Sequence, residues 1–371
     1  MRGISLKKKA GRMTELRRIR INAGAGYDVA AGGGLIDRCG EMIRHALPPS
    51  SGRCAVVTDS NVAPLYLERV LSSLREAGFR PSPFVFPAGE KSKNLGVLSD
   101  ILEFMAAEGL DRNSFVVALG GGVTGDLAGF AAAVYMRGIR YVQMPTTLLA
   151  AVDSSVGGKT AVDLRGGKNL AGAFLQPSLV LCDTDTLATL PAEHFSAGMA
   201  EAVKTAILFD PGLFASISGG VGPGGCGAVI ERCVALKGAV VEKDEFEAGE
   251  RRLLNLGHTV GHAIEKLSGY SVPHGFAVAA GTAVICRAGE KLGITKPGTA
   301  SLVGAALERY RLPADTHLPA ASLAAAAMSD KKRSGDRLTL VIPERIGGCV
   351  LKEIPAGELE RIIELGKRGK G

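Results

Sequence analysis

The chain has 371 residues, of which 46% are hydrophobic and 22% charged, and its formal net charge is +7. This composition is that of a folded protein long enough for about two domains, and it excludes a disordered chain. Trp is absent and aromatic residues make up only 5%, which argues against a protein that stacks nucleic-acid bases.

Residues 1–18 form a basic N-terminal extension. We interpret it as a solvated arm rather than a nucleic-acid-binding arm. No signal-peptide apolar region follows it, and no apolar run reaches the roughly 20 residues of a membrane span. The seven cysteines are scattered and include no Cys-x-x-Cys pair. We therefore expect reduced thiols, a cytoplasmic location, and neither a nucleic-acid nor a membrane partner.

Short apolar strands alternate with helices in the first half of the chain. We predict strands at 19–30, 54–58, 84–86, 115–119, 141–144 and 179–181, and helices at 64–78, 94–108 and about 125–135. Such alternation is typical of an α/β domain with a parallel sheet, and we assign this domain to residues 19–185.

Long alanine-rich helical stretches replace the alternation after about residue 186. We predict helices at 197–208, 226–243, 255–268, 275–292, 300–310 and 320–328, and a late hairpin of 337–343 with 349–354. The glycine-rich segment 218–227 is predicted to be a connector. Residues 186–371 are therefore assigned to a second, mainly helical domain.

Three consecutive glycines, Gly120 to Gly122, end a buried strand and open a helix. Glycines at such a turn let backbone N–H groups approach a pyrophosphate at the positive end of the helix. The spacing differs from the standard dinucleotide fingerprint, and a tight structural turn is the alternative. Asp126 is expected either to cap the helix or to bind a ribose. We favour a nucleotide site here.

Two glycine–lysine segments, Gly157-Gly158-Lys159 and Gly166-Gly167-Lys168, lie nine residues apart. They suit anionic oxygens, because backbone donors and the ammonium group converge there. A P-loop is rejected, since Asp153 and Ser154 stand where its first glycine is required. The charged loop 89–93, between a strand and a helix, is either solvated or contacts a nucleotide.

Three of the six histidines, His258, His262 and His274, fall within seventeen residues. His258 and His262 share one helix face, so spacing alone suggests that both bind one metal. Glu201 is the best carboxylate partner, because an unpaired charge on its apolar helix would be costly. The sequence therefore predicts a His/Glu metal site in the second half, joined to the nucleotide site by a cleft between the domains.

Residues 20–355 resemble the dehydroquinate synthase family, within the sugar phosphate cyclase superfamily. The resemblance rests on motifs in a specific order: Gly-Glu-Lys-Ser-Lys at 89–93, Leu-Gly-Gly-Gly-Val-Thr-Gly-Asp at 119–126, Val-Asp-Ser-Ser-Val-Gly-Gly-Lys at 152–159, Gly-Met-Ala-Glu at 198–201 and Gly-His-Thr-Val-Gly-His-Ala-Ile-Glu at 257–265. It implies a Rossmann-like nucleotide-binding α/β domain followed by a mainly helical metal-binding domain. Ala197 departs from the family, which commonly has Ser there.

The resemblance implies a carbon–oxygen lyase that acts on a phosphate ester. Its substrate would be 3-deoxy-D-arabino-heptulosonate 7-phosphate, converted in the shikimate pathway to 3-dehydroquinate and phosphate with transient reduction of NAD. The alternatives are a related sugar-phosphate cyclase, making a cyclitol or amino-dehydroquinate, and a metal-dependent polyol dehydrogenase. A neutral polyol would have no use for phosphate-binding cations. We also expect a homodimer.

The resemblance also implies three sets of site residues. A divalent metal, Zn or Co, would be held by Glu201, His258 and His274, which leaves His262 for proton transfer or substrate binding. The residues that would bind NAD are Asp59, Asn61, Glu90, Lys91, Gly121, Gly122, Val123, Asp126, Thr146, Thr147, Lys168, Thr186, Leu187 and Thr189. The residues that would bind or act on the substrate are Arg137, Asp153, Lys159, Asn169, Lys204, Lys237, Glu247, Arg251, Asn255, His262 and either Lys331 or Lys332.

Overall fold

The computed structural model describes residues 16–47, 52–330 and 337–368. The strands are β1 (Arg17–Ile21), β2 (Tyr27–Gly32), β3 (Arg53–Asp59), β4 (Arg80–Phe86), β5 (Phe115–Gly120), β6 (Arg140–Pro145), β7 (Lys159–Leu164), β8 (Gly167–Phe174), β9 (Leu179–Asp183), β10 (Arg337–Arg345) and β11 (Gly348–Pro355). The helices are α1 (Cys39–Ala46), α2 (Glu68–Glu76), α3 (Leu95–Ala107), α4 (Gly122–Val134), α5 (Ala192–Phe209), α6 (Pro211–Gly219), α7 (Cys226–Lys243), α8 (His258–Leu267), α9 (His274–Lys291), α10 (Thr299–Arg309), α11 (Ala320–Asp330) and α12 (Leu359–Gly366).

Seven strands form the main sheet, in the order β1-β2-β9-β6-β5-β3-β4. All neighbours are parallel except β1, which runs antiparallel to β2. Every residue of β5 is buried, because a parallel sheet is covered by helices on both faces and its strands become continuous apolar runs. The fold class predicted from the sequence, an α/β domain followed by a helical domain, is confirmed.

The carboxyl ends of the parallel strands lie at one edge of the sheet. Thr58 pairs with Leu119 and Gly120 pairs with Pro145, so the segments that follow β3, β5 and β6 leave the sheet side by side. These segments hold Asp59, the three glycines and Thr146. Ligands of open α/β sheets bind at this edge.

The segment 19–30, predicted as extended, is two strands joined by a turn. Gly24 and Gly26 adopt positive φ values of 58° and 73°, a region that glycine enters without steric cost. Arg17 and Arg18, counted with the basic extension in the sequence analysis, belong to β1 and pair with Ala31 and Ala30.

The two glycine–lysine segments lie at opposite ends of β7, in a hairpin that the sequence analysis did not predict. Lys159 begins β7, and Lys168 lies near the start of β8. The two strands form a separate two-stranded sheet, and β7 packs against α4 beside the main sheet. The hairpin therefore carries both lysines away from the main sheet.

Helices α5, α8 and α9 pack closely in the second half. A Cβ on Gly275 would lie 2.3 Å from the backbone oxygen of Ala197, so α9 can approach α5 only with glycine at this position. Gly257, at φ 78°, likewise lies against α9, where a Cβ would stand 2.3 Å from Thr282 Oγ1. These contacts bring Glu201 on α5, His258 on α8 and His274 on α9 to one place.

Short helices account for most of the remaining differences from the sequence analysis. Helices α1, α6 and α12 were not predicted, whereas the late hairpin, now β10 and β11, was. In the part of the chain that the structure describes, none of the helices has the length and apolar character to cross a bilayer.

Candidate active site

Glu201, His258 and His274 form a compact group of ligating side chains. One ligand atom from each lies within 4.8 Å of the other two. His258 and His274 place their ring centroids 5.2 Å apart, and His274 Nε2 lies 3.5 Å from Glu201 Oε1. One carboxylate and two imidazoles are a donor set that suits Zn or Co better than Mg.

The Glu201 carboxylate has the surroundings expected of a metal ligand. The side chain is 1% exposed, and its charged partners among the described residues are Lys204 and His274. Lys204 forms a short ion pair with it from the same helix. Burial opposes the charged form, but Lys204 and the two histidines hold the pKa of Glu201 well below its usual range. An anionic, buried carboxylate therefore lies beside the two histidines, where it could bind a cation.

A second group, made of His262, Glu265 and His274, shares one member with the first. Glu265 Oε2 lies 3.2 Å from His274 Nδ1, which leaves Nε2 facing Glu201. Both carboxylates raise the pKa of His274, against the effect of burial, to about 10. His258 differs, because burial and then Lys204 lower its pKa to about 3.

Within the described ranges, the two histidines of the i,i+4 pair on α8 do not share one group of ligating side chains. His258 and His262 contact each other edge to face, with centroids 5.3 Å apart, but they belong to different ligating groups among the described residues. His258 is oriented by Leu256, whose backbone oxygen lies 3.1 Å from Nδ1, while His262 is exposed to solvent.

Two buried lysines flank Asp153 next to this group. Lys237 Nζ lies 3.0 Å from Asp153 Oδ1 and also donates to the Asp153 backbone oxygen at 2.7 Å. Lys204 Nζ lies 4.0 Å from the same carboxylate. Burial opposes ionisation of Asp153, but the two lysines lower its pKa overall. The result is a largely buried cluster of two lysines with the carboxylates of Asp153 and Glu201.

Lys159, Glu247 and Asn255 form a third cluster near the surface. Lys159 is 50% exposed and makes a short ion pair with Glu247. Asn255 Nδ2 donates to Glu247 Oε1 at 2.9 Å. Glu247 has a positive φ of 60°, which is unusual for a non-glycine residue.

Arg251 is 2% exposed and is engaged with the backbone. Its guanidinium donates to the backbone oxygen of Gly157 at 2.8 Å and to that of Glu245. The Arg251 guanidinium therefore fixes the backbone at Gly157, two residues before Lys159.

The glycine turn at the sheet edge has the features of a nucleotide cradle. Gly121 is the N-cap of α4, and no side chain caps the helix. A Cβ on Gly121 would come within 3.0 Å of Thr147, and one on Gly122 within 3.4 Å of Ser154. The Thr146 hydroxyl is buried with no hydrogen-bond partner among the described residues.

Asp59 ends β3 at the same edge. Its Oδ1 accepts the N–H groups of Asn61 and Val62 at 2.9 and 3.1 Å, and Thr124 on α4 donates to its Oδ2 at 3.2 Å. The 3-10 turn Thr184–Thr189 follows β9. There the Tyr66 hydroxyl contacts Thr189 and the backbone oxygen of Thr186, while Leu187 is buried.

Asp126 neither caps α4 nor stands alone. Its carboxylate pairs at 2.5 Å with Lys93, a lysine that is only 5% exposed. Lys93 also donates to Asn169 Oδ1 at 2.5 Å. The loop of Glu90 and Lys91 is thereby tied through Lys93 to the hairpin that carries Lys168.

Arg137 lies apart from these clusters. It precedes β6 at the opposite edge of the sheet from Gly120 and Thr146, and α4, 13 residues long, separates it from Gly122 by about 20 Å. Lys331 and Lys332 lie outside the described residues. The other candidate residues are all placed on the elements described above.

Two residues in these networks were not predicted to be site residues. Glu265 lies within the quoted motif at 257–265 and Lys93 within that at 89–93. Each is a buried charged residue, Glu265 being 3% exposed. The signal that would have singled out Glu265 is a carboxylate on the apolar side of an amphipathic helix.

Comparisons with known proteins agree on one family. Residues 83–197 match a family model described as 3-dehydroquinate synthase N-terminal, and residues 198–333 match one described as 3-dehydroquinate synthase C-terminal. A 3-dehydroquinate synthase from Pelobacter propionicus is 44% identical over 351 residues, which cover 92% of this chain and 97% of the relative.

Solved structures of two cyclases are also similar. A 2-deoxy-scyllo-inosose synthase complexed with carbaglucose-6-phosphate, NAD+ and Co2+ has a TM-score of 0.83 at 25% identity, over 94% of this chain and 99% of that one. A 2-epi-5-epi-valiolone synthase from Streptomyces hygroscopicus subsp. jinggangensis, with NAD+ and Zn2+ bound, has a TM-score of 0.81 at 27% identity, over 99% of both chains.

Proposed function

Because the chain belongs to the 3-dehydroquinate synthase family, we propose that it converts 3-deoxy-D-arabino-heptulosonate 7-phosphate to 3-dehydroquinate and phosphate. It is a carbon–oxygen lyase of the shikimate pathway, with 3-dehydroquinate synthase activity. The structural observation that carries the proposal is one continuous set of charged side chains, in which the Glu201, His258 and His274 group adjoins the lysines around Asp153.

Two groups, NAD and a divalent metal, complete this proposal, as related cyclases bind both. Glu201, His258 and His274 would hold Zn or Co, because their ligand atoms converge and the buried Glu201 carboxylate is kept anionic. Gly121, Gly122 and Thr146 would receive NAD at the sheet edge, with the remaining predicted contacts around them. When bound, NAD supplies a hydride acceptor that returns the hydride, and the metal polarises the reacting hydroxyl.

Lysines 204 and 237 would bind the anionic groups of the substrate. Both are buried beside Asp153, and a buried ammonium retains its charge only when anions surround it. Asp153 favours the charged form of both lysines, and it contacts Lys237 across 84 residues of sequence. Both lysines are at most 8% exposed, so each contact to phosphate or carboxylate is stronger than at the surface.

Proton transfer is assigned to the exposed side of the site. His262 is exposed, and its ring packs directly against that of His258. It can therefore exchange protons with solvent and reach a substrate near the metal ligands. Glu247, held by Asn255 and Lys159, is a carboxylate base at the same entrance. Asn169 and Lys168 contribute polar contacts from the hairpin.

The proposal also includes a homodimer and a cytoplasmic location. Arg137 lies at the far edge of the sheet from the cluster, so it would serve the substrate of a second copy rather than that of its own chain. All seven cysteines are free, and six are buried, as expected of a protein in a reducing compartment.

The order of hydride transfer distinguishes this function from that of a polyol dehydrogenase. We expect phosphate to accumulate well beyond the amount of NAD supplied, with no matching rise in NADH, because the hydride returns to the product. Phosphate and NADH absorbance are followed in one cuvette with NAD far below substrate. Glycerol serves as the control and should yield no NADH. One NADH per turnover, or phosphate limited to the NAD supplied, would be incompatible with the proposal.

Lys159 should contribute strongly to turnover, because its ammonium group, half-exposed and beside Glu247, can bind an anionic group of the substrate. Replacing it with methionine is expected to lower kcat by about 30- to 1000-fold, corresponding to ~2–4 kcal/mol of lost transition-state stabilisation. Lys243→Met is the matched control, since Lys243 also pairs with a carboxylate, Glu250, but is 66% exposed on the surface. Steady-state phosphate release measures both variants, and a Lys159→Met enzyme within threefold of wild type would refute this role.

A further inference from the structure

A chain of contacts joins the nucleotide loop to the metal ligands. Lys168 Nζ lies 3.2 Å from Glu90 Oε1 and 3.1 Å from Glu265 Oε1. The other oxygen of Glu265 lies 3.2 Å from His274 Nδ1, and His274 Nε2 faces Glu201. Five separate parts of the fold meet here: the turn after β4, the β7–β8 hairpin, α8, the start of α9 and α5.

Lys168 is the cation that both carboxylates share. Its ammonium also lies 4.7 Å from the centre of the Tyr270 ring, in the loop between α8 and α9. The Lys168 side chain is 27% exposed, whereas Glu265 is 3% exposed and Glu90 41%. The contact to Glu265 is therefore the desolvated one, and the contact to Glu90 is accessible to solvent.

The two carboxylate oxygens of Glu265 contact different partners. One oxygen receives Lys168, and the other fixes the ring of His274 by accepting from Nδ1. A carboxylate that orients a ligating imidazole in this way sets which nitrogen faces the metal. If Lys168 moves, the Glu265 carboxylate loses a charged partner and the His274 ring loses a fixed anchor.

We propose that Lys168 and Glu265 are positioning residues that couple the nucleotide site to the metal site, so that NAD and the metal each strengthen the binding of the other. This inference rests on the proposed function, which places NAD beside Glu90 and the metal on His274. A nucleotide that orders the Glu90 loop also orders Lys168, and therefore Glu265 and His274. The conformational entropy of these side chains is then lost only once, when the first of the two ligands binds.

The coupling has a measurable size and must be reciprocal. We expect NAD to lower the dissociation constant of Zn by about tenfold, within the range usual for coupled sites. Linkage requires the metal to lower the dissociation constant of NAD by the same factor. Zinc affinity is measured by competition with a chromophoric chelator, with and without saturating NAD, and NAD affinity by calorimetry on metal-loaded and metal-free protein.

Two variants test the path. Glu265→Gln leaves the Lys168–Glu90 contact in place, so its metal-free form should still bind NAD and can be saturated with it. We expect it to bind Zn about 10- to 100-fold more weakly, with no effect of NAD on that affinity. Lys168→Met should also lose the NAD effect, and Lys168→Arg, which keeps the cation, should regain part of it. Lys291→Met, an exposed lysine at the end of α9, is the control and should behave as wild type.

Each result decides the matter. Loss of the NAD effect in Glu265→Gln and Lys168→Met, with partial recovery in Lys168→Arg, supports the coupling. The coupling is overturned if wild type binds both ligands independently, or if either variant retains the full tenfold effect while circular dichroism shows it folded. If wild type binds neither Zn nor NAD, the proposed function itself fails, and the coupling with it.

Discussion

Removal of the metal is expected to abolish turnover, and Zn or Co is expected to restore it. Glu201, His258 and His274 converge on one point, and three protein ligands with an open position are typical of a catalytic metal. Loss of the metal would forfeit several kcal/mol of charge stabilisation, and ~3 kcal/mol alone corresponds to a rate loss of about 100-fold. The enzyme is dialysed against a strong chelator, freed of chelator, analysed for metal and assayed by phosphate release.

Two controls make the chelation experiment specific. Thermal unfolding before and after dialysis shows whether the fold survives, so that lost activity is not mistaken for denaturation. Magnesium should fail to restore activity, because a site with two imidazoles favours the borderline-soft Zn or Co over a hard cation. Full activity in protein shown by elemental analysis to be free of metal would contradict the metal assignment.

Replacement of His274 with alanine is expected to release the metal, whereas replacement of His262 should leave the metal bound. His274 belongs to both ligating groups and contacts the Glu201 and Glu265 carboxylates, so its loss removes a ligand and a charge anchor together. His262→Ala should instead slow turnover by about 10²- to 10⁴-fold, as expected for the loss of a proton-transfer group. Bound metal is counted by elemental analysis and turnover by phosphate release.

His194→Ala is the matched control for the histidine variants. His194 is exposed in the first turn of α5, the helix that carries Glu201, so its loss should change neither metal content nor turnover. The opposite pattern, with metal lost from His262→Ala and retained by His274→Ala, would show that the metal is bound by the i,i+4 pair on α8. The spacing of the two histidines on that helix would then have been the better guide.

Much of the fold could be predicted from local sequence pattern. The central strands β3 and β5 are buried on both faces over most of their length, so their apolar residues form short runs that stand out between helical periods. The elements that were missed are short or weakly patterned. Helices α1 and α12 have eight residues each, and such helices are stabilised by tertiary packing more than by their own propensity.

The residues of the candidate site were named by sequence motifs, but their contacts were decided by the tertiary structure. Spacing on one helix places His258 beside His262, yet only the packing of α8 and α9 brings His274 in from a different helix. The ion pairs of the site also join residues that are distant in sequence. Lys159 and Glu247 are 88 residues apart, and Lys168 and Glu265 are 97 residues apart. No local pattern specifies such pairs.

The sequence by itself determined which residue types were present for this chemistry, and it determined the two-domain class through the change from alternating strands to long helices. Only the tertiary structure decided which cation neutralises which carboxylate, and therefore which side chains are committed to each other. The physical reason is that helix and strand periods arise from neighbours within a few residues, whereas a buried charge is stabilised by whatever the fold places within about 4 Å of it. Glu265 illustrates the difference, because its role depends on Lys168 and His274 in separate elements.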